Sequence, residues 1–134
     1  MIFIGIDPGV KTGIAMSDSG QLVCVESMKA CEAEKTILDH FLDGTKKVCV
    51  VVEDARLRQW FGSKGKEALQ GAGSIKRDCQ RWHEWLVMHD IPHVLVAPKH
   101  NRTKLSAEQF AKLTGWKERT NEHGRDAAML VFGR

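Results

Sequence analysis

Acidic side chains end two of the strand-like segments of this sequence. Asp7 and Glu53 each stand directly after a run of apolar residues. His123 and Asp126 are three residues apart, so both face the same way if their segment is helical. If the two apolar runs are neighbouring parallel strands, Asp7 and Glu53 lie side by side at the sheet edge where open sheets bind ligands. A helix could bring the other two residues to the same edge.

Such a group of side chains is suited to metal chemistry. Clustered carboxylates repel one another unless a cation lies among them, and hard oxygen ligands select Mg²⁺ or Mn²⁺. Two such ions can activate a water molecule and stabilise the leaving oxygen of a phosphodiester. Because the sequence contains no other obvious nucleophile, it indicates hydrolysis by metal-bound water.

The two strand-end carboxylates also have simpler interpretations. Asp7 precedes a Pro-Gly pair and could cap a turn. Glu53 follows five apolar residues, where a carboxylate is costly unless it is solvated or paired, and this favours a functional role. We interpret the adjacent Asp54 as a turn residue rather than a ligand.

The imidazole and carboxylate near residue 125 are equally open to a second interpretation. Asp126 could pair with Arg125 or Arg134, and His123 could be an ordinary histidine at the start of a helix. The other histidines show no spacing that is typical of metal ligands: His40, His83, His89, His93 and His100.

Periodicity and turn residues define the elements that would position these groups. Val48–Val52 form a continuous apolar run, which is typical of a central strand buried on both faces. Ser106 and Gln109 have the spacing of a helix capping box. Strands are predicted over residues 2–7, 12–17, 21–27, 47–53 and 93–97. Helices are predicted over residues 32–42, 67–90, 106–113 and 124–132.

The order of these elements indicates an α/β fold. Three early strands followed by alternation of strands and helices predict a mixed sheet with helices on both faces. The length of 134 residues suits one domain over residues 1–134, and we find no repeat, low-complexity tract or linker. Trp82 and Trp85 share a helix face with Leu86 and His89, and this stripe is either core or a dimer interface.

Composition narrows the class of protein. Apolar residues make up 43% and charged residues 28%, and no apolar run approaches the roughly 20 residues needed to cross a membrane. The N-terminus lacks the features of a signal peptide, so we expect a cytoplasmic protein. Without CxxC pairs, the cysteines are expected to be buried or idle thiols: Cys24, Cys31, Cys49 and Cys79.

Charge is distributed unevenly along the chain. Residues 1–54 contain 5 Lys or Arg against 9 Asp or Glu, whereas residues 55–134 contain 15 against 8. An acidic part followed by a basic part suits an enzyme that holds cations and contacts phosphates, although an uneven solvated surface would look the same.

Three segments occur in order along most of the chain: IGIDPG followed by TGIA in residues 4–15, VVVE in residues 50–53, and HGRDAA in residues 123–128. Together they resemble the RuvC-type Holliday-junction resolvases of the RNase H-like superfamily. The chain is somewhat shorter than typical resolvases, as in the phage-borne relatives. The resemblance implies a three-layer RNase H-like fold, with a five-stranded mixed sheet whose second strand is antiparallel.

The resemblance also implies a metal site. Asp7, Glu53 and Asp126 would be ligands, with His123 at a position where many members carry aspartate and some carry histidine. We expect two Mg²⁺ ions, with Mn²⁺ as a substitute that the imidazole of His123 may favour. No small-molecule cofactor is expected.

The same resemblance assigns a further residue to the reaction. Family members place a lysine just after the fifth strand, near the scissile phosphate, and Lys99 occupies that place, although it could be one more solvated lysine. The family's second lysine has no clean match, and Lys104 or Lys112 could substitute for it. Resolvases act as twofold dimers on four-way junctions, so we expect a homodimer bound to branched DNA.

Cationic and aromatic residues follow Glu53 and recur in the basic loop after the fifth strand. Cations bind phosphates without reading sequence, and aromatic rings can stack on unpaired bases. Trp60 and Phe61 could instead anchor their loop in the core. The candidate nucleic-acid-binding residues are Arg56, Arg58, Trp60, Phe61, Lys64, Lys66, Arg102 and Lys104.

Three other functions compete with a junction resolvase. A YqgF-like nuclease acting on RNA shares the opening motif but lacks a glutamate in the position of Glu53. An actin-like ATP-binding domain also shares that opening, but it requires a second phosphate loop and a longer chain. A catalytically weak nucleic-acid-binding module of the RNase H-like fold is disfavoured by Asp7, Glu53 and Asp126, whereas His123 is compatible with it.

Overall fold

The computed structural model describes the backbone of residues 1–57 and 66–134 and the side chains of residues 1–57 and 73–134. The described strands are β1 (Ile2–Asp7), β2 (Thr12–Asp18), β3 (Gln21–Met28), β4 (Val48–Glu53) and β5 (His93–Val96). The described α-helices are α1 (Ala30–Asp43), α2 (Lys66–Met88), α3 (Ala107–Thr114) and α4 (Glu122–Val131). Every one of these elements was predicted, with ends that differ by at most two residues.

The strands form one sheet in the order β3-β2-β1-β4-β5. β2 runs antiparallel to both β1 and β3, whereas β1, β4 and β5 are parallel to one another. The predicted five-stranded mixed sheet with an antiparallel second strand is therefore confirmed. Its central strands β1 and β4 are the two that end in Asp7 and Glu53.

A tight turn joins β2 to β3. Ser19 and Gly20 both have positive φ angles, 54° and 86°. Two consecutive left-handed residues form the type I′ turn, whose twist matches that of the paired strands. The turn brings β3 back beside β2.

The two faces of the sheet are covered by different helices. One apolar cluster joins α1 and α2 to Ile4, Ile6, Val50 and Val52, and the other joins α3 and α4 to Ala15 and Val51. Alternate residues of each strand thus enter opposite layers, as the two-residue period of a strand requires. The layers confirm helices on both faces.

The tryptophan stripe of α2 belongs to the first cluster. Trp82 is only 4% exposed and Leu86 is fully buried, and Trp85 packs edge-on against Trp82 with a centroid distance of 5.7 Å. Of the two interpretations left open for this stripe, core packing is therefore confirmed.

Two smaller predictions are also confirmed. The Ser106 side chain accepts a hydrogen bond from the Gln109 backbone, and the Gln109 side chain accepts one from the Ser106 backbone, which is a complete capping box. All four cysteines are free thiols.

Among the described residues, no helix has the length and apolar character that a membrane span requires.

Candidate active site

Asp7 and Glu53 lie next to each other at the carboxyl ends of parallel strands. The register pairs Ile6 of β1 with Val52 of β4, so the next residue of each strand is one of the two carboxylates. Both side chains are half-buried. The predicted juxtaposition at the sheet edge is therefore present, and it follows from two apolar strands of matched length.

Helix α4 brings His123 and Asp126 to this edge. The helix begins after Asn121, whose side chain accepts a hydrogen bond from the Gly124 backbone at 2.8 Å. The Asn121 amide also donates to the Ser27 hydroxyl at 2.6 Å, which ties the start of the helix to β3. The first turn of α4 thereby lies against the start of β2, where Gly13 faces the His123 backbone.

Glycines allow α4 to lie unusually close to the sheet. A Cβ atom on Gly5 would overlap the backbone oxygen of Ala127, and one on Gly13 would overlap that of His123. Gly124 faces the sheet from the helix side, where a Cβ atom would lie 3.0 Å from the backbone oxygen of Glu26. This backbone-to-backbone contact sets how far His123 and Asp126 reach toward the strand ends.

Asp7 lies at the centre of the resulting group. Its Oδ2 atom is 3.4 Å from Nδ1 of His123. Burial, followed by the negative charges of Glu53 and Asp126, raises the pKa of Asp7 from 3.8 to about 7, and His123 offsets only part of this effect. Glu53 and Asp126 are therefore close enough for their negative charges to act on Asp7.

The simpler interpretations of Asp7 and Asp126 do not match the contacts. Within the described part of the chain, His123 is the hydrogen-bond partner of the Asp7 carboxylate, and no turn amide binds it. Arg125 donates to backbone oxygens of Leu105 and Thr120, and Arg134 donates to that of Leu130. Neither arginine forms an ion pair with Asp126.

Asp126 is held by the segment that follows β5. Its Oδ1 atom accepts a hydrogen bond from the Lys104 backbone at 2.9 Å. Lys104 has a φ of 61°, a left-handed conformation that is unusual for a lysine and often found at functional sites. Burial, with a smaller contribution from Glu122, raises the pKa of Asp126 above its ordinary value despite this hydrogen bond.

Asn101 is a site residue that the sequence did not indicate. Its Nδ2 atom donates to Oε2 of Glu53 at 2.6 Å and to the backbone oxygen of Asp126 at 3.1 Å. It sits in the basic loop after β5, where only the cationic residues drew attention. Its role depends on partners from β4 and α4, and no local pattern reveals such partners.

The cationic residues of this loop lie beside the carboxylates. Lys99, Arg102 and Lys104 flank Asn101, and all three are exposed. None of them forms an ion pair with another residue of the described ranges 1–57 and 73–134. Lys112 is exposed on α3. The loop therefore presents positive charge at the border of an acidic group of side chains.

Asp54 points away from this site into a buried ion pair. It is 1% exposed, and Nη2 of Arg56 binds its Oδ2 atom at 2.7 Å while the Arg56 backbone donates to Oδ1 at 3.0 Å. Arg56 also contacts Nδ1 of His83 at 3.0 Å. The predicted turn role of Asp54 is confirmed. Arg56 stays a predicted phosphate contact, although its side chain is only 29% exposed and its guanidinium is held by Asp54.

The remaining candidates for nucleic-acid contact follow Arg56 directly. Arg58, Trp60, Phe61 and Lys64 lie outside the described residues. Lys66 begins α2, and its side chain also lies outside the described part. Their predicted roles stay predictions.

Comparison with known proteins finds a solved structure with the same architecture. No protein-family model and no curated protein matches the sequence. Among solved structures, T. thermophilus RuvC in complex with a Holliday junction substrate superimposes with a TM-score of 0.61 at 18% identity, covering 98% of this chain and 91% of that one. The chain has the RuvC fold. The predicted RNase H-like architecture is thereby confirmed, and the likeness at this identity concerns the fold alone.

The donor atoms of Asp7, Glu53, His123 and Asp126 are of the kinds that bind divalent cations. The described side chains do not converge tightly on one point. Within residues 1–57 and 73–134, no three His, Cys, Asp or Glu side chains already enclose a space for a metal ion. Mutual repulsion holds such carboxylates apart, and a cation would draw them together. The buried Oδ1 atom of Asn101 has no hydrogen-bond partner among the residues that the structure describes.

Proposed function

We propose that this protein is a metal-dependent, structure-selective endodeoxyribonuclease that resolves Holliday junctions or other branched DNA. The observation that carries the proposal is that Asp7 and Glu53 end paired parallel strands beside His123, where burial, followed by the charges of Glu53 and Asp126, raises the pKa of Asp7 to about 7. A carboxylate with a pKa of about 7 amid like charges is stabilised most by a divalent cation. The RuvC fold supports a nuclease that acts on DNA.

Four side chains would hold the metal: Asp7, Glu53, His123 and Asp126. We propose Mg²⁺, two ions per site, with Mn²⁺ as a substitute. When bound, such ions supply an activated water molecule and stabilise charge on the leaving oxygen. The protein's own contribution is to fix the ligands on rigid elements, since two of them end central strands and two lie on a helix in backbone contact with the sheet.

Positive charge beside the carboxylates would orient the substrate. Exposed cations flank Asn101 on one side of the site: Lys99, Arg102 and Lys104. Lys99 is proposed to contact the scissile phosphate. Arg56, Arg58, Lys64 and Lys66 would extend the phosphate contacts along the segment after Glu53. Trp60 or Phe61 would stack on bases that are unpaired at a crossover.

A four-way junction needs two symmetric cuts, so we propose that the protein acts as a homodimer. The compared RuvC structure contains a Holliday junction substrate, which supports this class of substrate for the present site. Because Trp82 and Leu86 are core residues, the dimer would use another surface. Light scattering at micromolar concentration tests this point, and a monomeric mass would contradict it.

A cleavage assay with three substrates tests the proposed activity. Purified protein is incubated with a labelled four-way junction, a linear duplex or an RNA hairpin, in Mg²⁺, Mn²⁺ or EDTA. We expect paired nicks on the junction that require the metal and are lost in Asp7→Asn. Cleavage of RNA alone would select the YqgF-like alternative. Junction binding without cleavage in any metal would select the nucleic-acid-binding module.

A further inference from the structure

Asn101 stands between the strand and helix parts of the site. It ends the short turn over Pro98–His100 that follows β5, and its backbone N–H donates to Pro98 at 3.0 Å. From there its side chain reaches Glu53 on β4 and the Asp126 backbone on α4. One amide group therefore links the end of β4 to α4, in addition to the packing of Val51 against the same helix.

The orientation of this amide is determined by its partners. Oε2 of Glu53 and the backbone oxygen of Asp126 are both acceptors, so the nitrogen of Asn101 has to face them. Rotation of the amide by half a turn would put its oxygen against a carboxylate and a carbonyl. In the observed orientation Oδ1 is buried and has no hydrogen-bond partner within residues 1–57 and 73–134, whereas the amide nitrogen donates two hydrogen bonds.

The side chain of Asn101 is a neutral amide, and its neutrality bears on the charge of Glu53. A lysine in this place would neutralise Glu53, and an aspartate would repel it. A neutral amide can hold the carboxylate through a short hydrogen bond without cancelling its charge. Asn101 therefore restrains the position of the carboxylate relative to α4 without adding a charge of its own.

We propose that Asn101 is a positioning residue, which fixes the distance between Glu53 and helix α4 so that the sheet and helix carboxylates can bind the same divalent ions. The inference rests on the proposed nuclease function, because it assigns Asn101 to the same metal site. Outer partners of ligating carboxylates commonly contribute about 10-fold to 100-fold to metal affinity.

Mn²⁺ binding measured by electron paramagnetic resonance on the full chain, without DNA, tests this role. We expect Asn101→Ala to weaken Mn²⁺ binding by about 10-fold or more. In a Glu53→Gln background the same change should have an effect of less than about 3-fold, because the two residues act through one hydrogen bond. An equal loss in both backgrounds would overturn the proposal.

Asn101→Asp distinguishes a side chain that donates a hydrogen bond to Glu53 from one that ligates the metal. It also replaces the alanine variant in this test if that variant folds poorly. The aspartate has the same shape but cannot donate when ionised, so we expect it to lose Mn²⁺ affinity as well. Retained or improved affinity would mean that the side chain acts as an oxygen ligand, and the positioning role would be wrong. Far-UV circular dichroism in EDTA establishes that each variant is folded.

Gln80→Ala is the matched control. The Gln80 amide donates to Glu84 at 2.9 Å on the exposed face of α2, so its loss removes the same kind of hydrogen bond far from the metal site. Mn²⁺ binding by this variant should equal that of the parent. If the parent cleaves junctions and Asn101→Ala binds Mn²⁺ as tightly as the parent, only the positioning role fails. If the parent neither binds Mn²⁺ nor cleaves, both proposals fail.

Discussion

Gly13 faces the backbone oxygen of His123 so closely that a Cβ atom at position 13 would overlap it. The same glycine pairs with Asp7 across β1 and β2, where a Cβ atom would lie 3.1 Å from that of Asp7. Three groups thus meet at one point: a strand end, a neighbouring strand without a side chain, and the first turn of α4. This contact determines how close the imidazole comes to the carboxylate.

Gly13→Ala should therefore lower both stability and metal binding. Overpacking of this kind costs about 1–3 kcal/mol, which urea unfolding will measure. Gly73→Ala is the control, since a Cβ atom there meets only the end of the Arg77 side chain at 3.8 Å and should leave stability equal or slightly higher. A Gly13→Ala variant as stable as the parent would contradict the close contact.

The raised pKa of Asp7 predicts a pH-dependent stability in EDTA. The folded carboxyl keeps its proton up to about pH 7, whereas the unfolded one loses it near 3.8, so stability falls as pH rises between these values. Asp7→Asn should melt at a higher temperature than the parent at pH 8, with little difference at pH 4. Excess Mg²⁺ should raise the melting temperature of the parent alone. A difference between parent and variant that does not change with pH would refute this.

The ion pair between Asp54 and Arg56 predicts the opposite pH response. Burial acts to raise the pKa of Asp54, but the hydrogen bonds and charge of Arg56 outweigh it and hold this pKa below its ordinary value. Its contribution is therefore present at neutral pH and is lost as pH falls through the lowered pKa. Asp54→Asn should cost about 3 kcal/mol at pH 7.

Urea unfolding at several pH values measures this contribution, and the cost should shrink toward pH 3. Asp39→Asn is the control, because the pair of Asp39 with Lys35 is exposed and should contribute little. A loss of stability in Asp54→Asn that equals the loss in Asp39→Asn would show that the buried pair is not stabilising.

His123 predicts a metal preference. An imidazole ligand is better suited to Mn²⁺ than to Mg²⁺, whereas a carboxylate suits both. The ratio of junction cleavage rates in Mn²⁺ and Mg²⁺ should therefore be higher in the parent than in His123→Asp. Equal cleavage rates in Mn²⁺ and Mg²⁺, in both the parent and His123→Asp, would contradict a metal preference set by His123.

Exposed cations beside the site predict salt-sensitive binding. In the cleavage-inactive Asp7→Asn background, Lys99→Gln and Arg102→Gln should each reduce the slope of log affinity against log salt for junction DNA by about 1. Fluorescence anisotropy at several salt concentrations measures it. Lys35→Gln, in which the changed residue lies on the exposed side of α1 and pairs with Asp39, should leave the slope unchanged.

Local patterns were sufficient for the strands and for their terminal carboxylates. Asp7 and Glu53 were recognisable because each follows an apolar run, and burial of both faces of a central strand produces such a run. The capping box of Ser106 and Gln109 was equally predictable from the sequence, because both partners are within one helical turn. These features depend on neighbours in the sequence.

The remaining features depend on partners that are distant in the sequence. Asn101 binds groups that are 48 and 25 residues away, and nothing around it in the sequence indicates this. The glycines at 5 and 13 were visible within a motif, but their purpose is clear only once α4 lies on them. Helical periodicity placed Trp82 on an apolar face without revealing which element would cover it.

The backbone contact of α4 with the sheet bears on how the protein is synthesised. Asp7 and His123 are 116 residues apart, so a ribosome releases the first strand long before it has made the helix that completes the cluster. The side chains of the candidate site would therefore come together in a single late event, when this helix settles against Gly5 and Gly13. A partial chain that stops before residue 123 contains the strand carboxylates without the helix residues that complete the group.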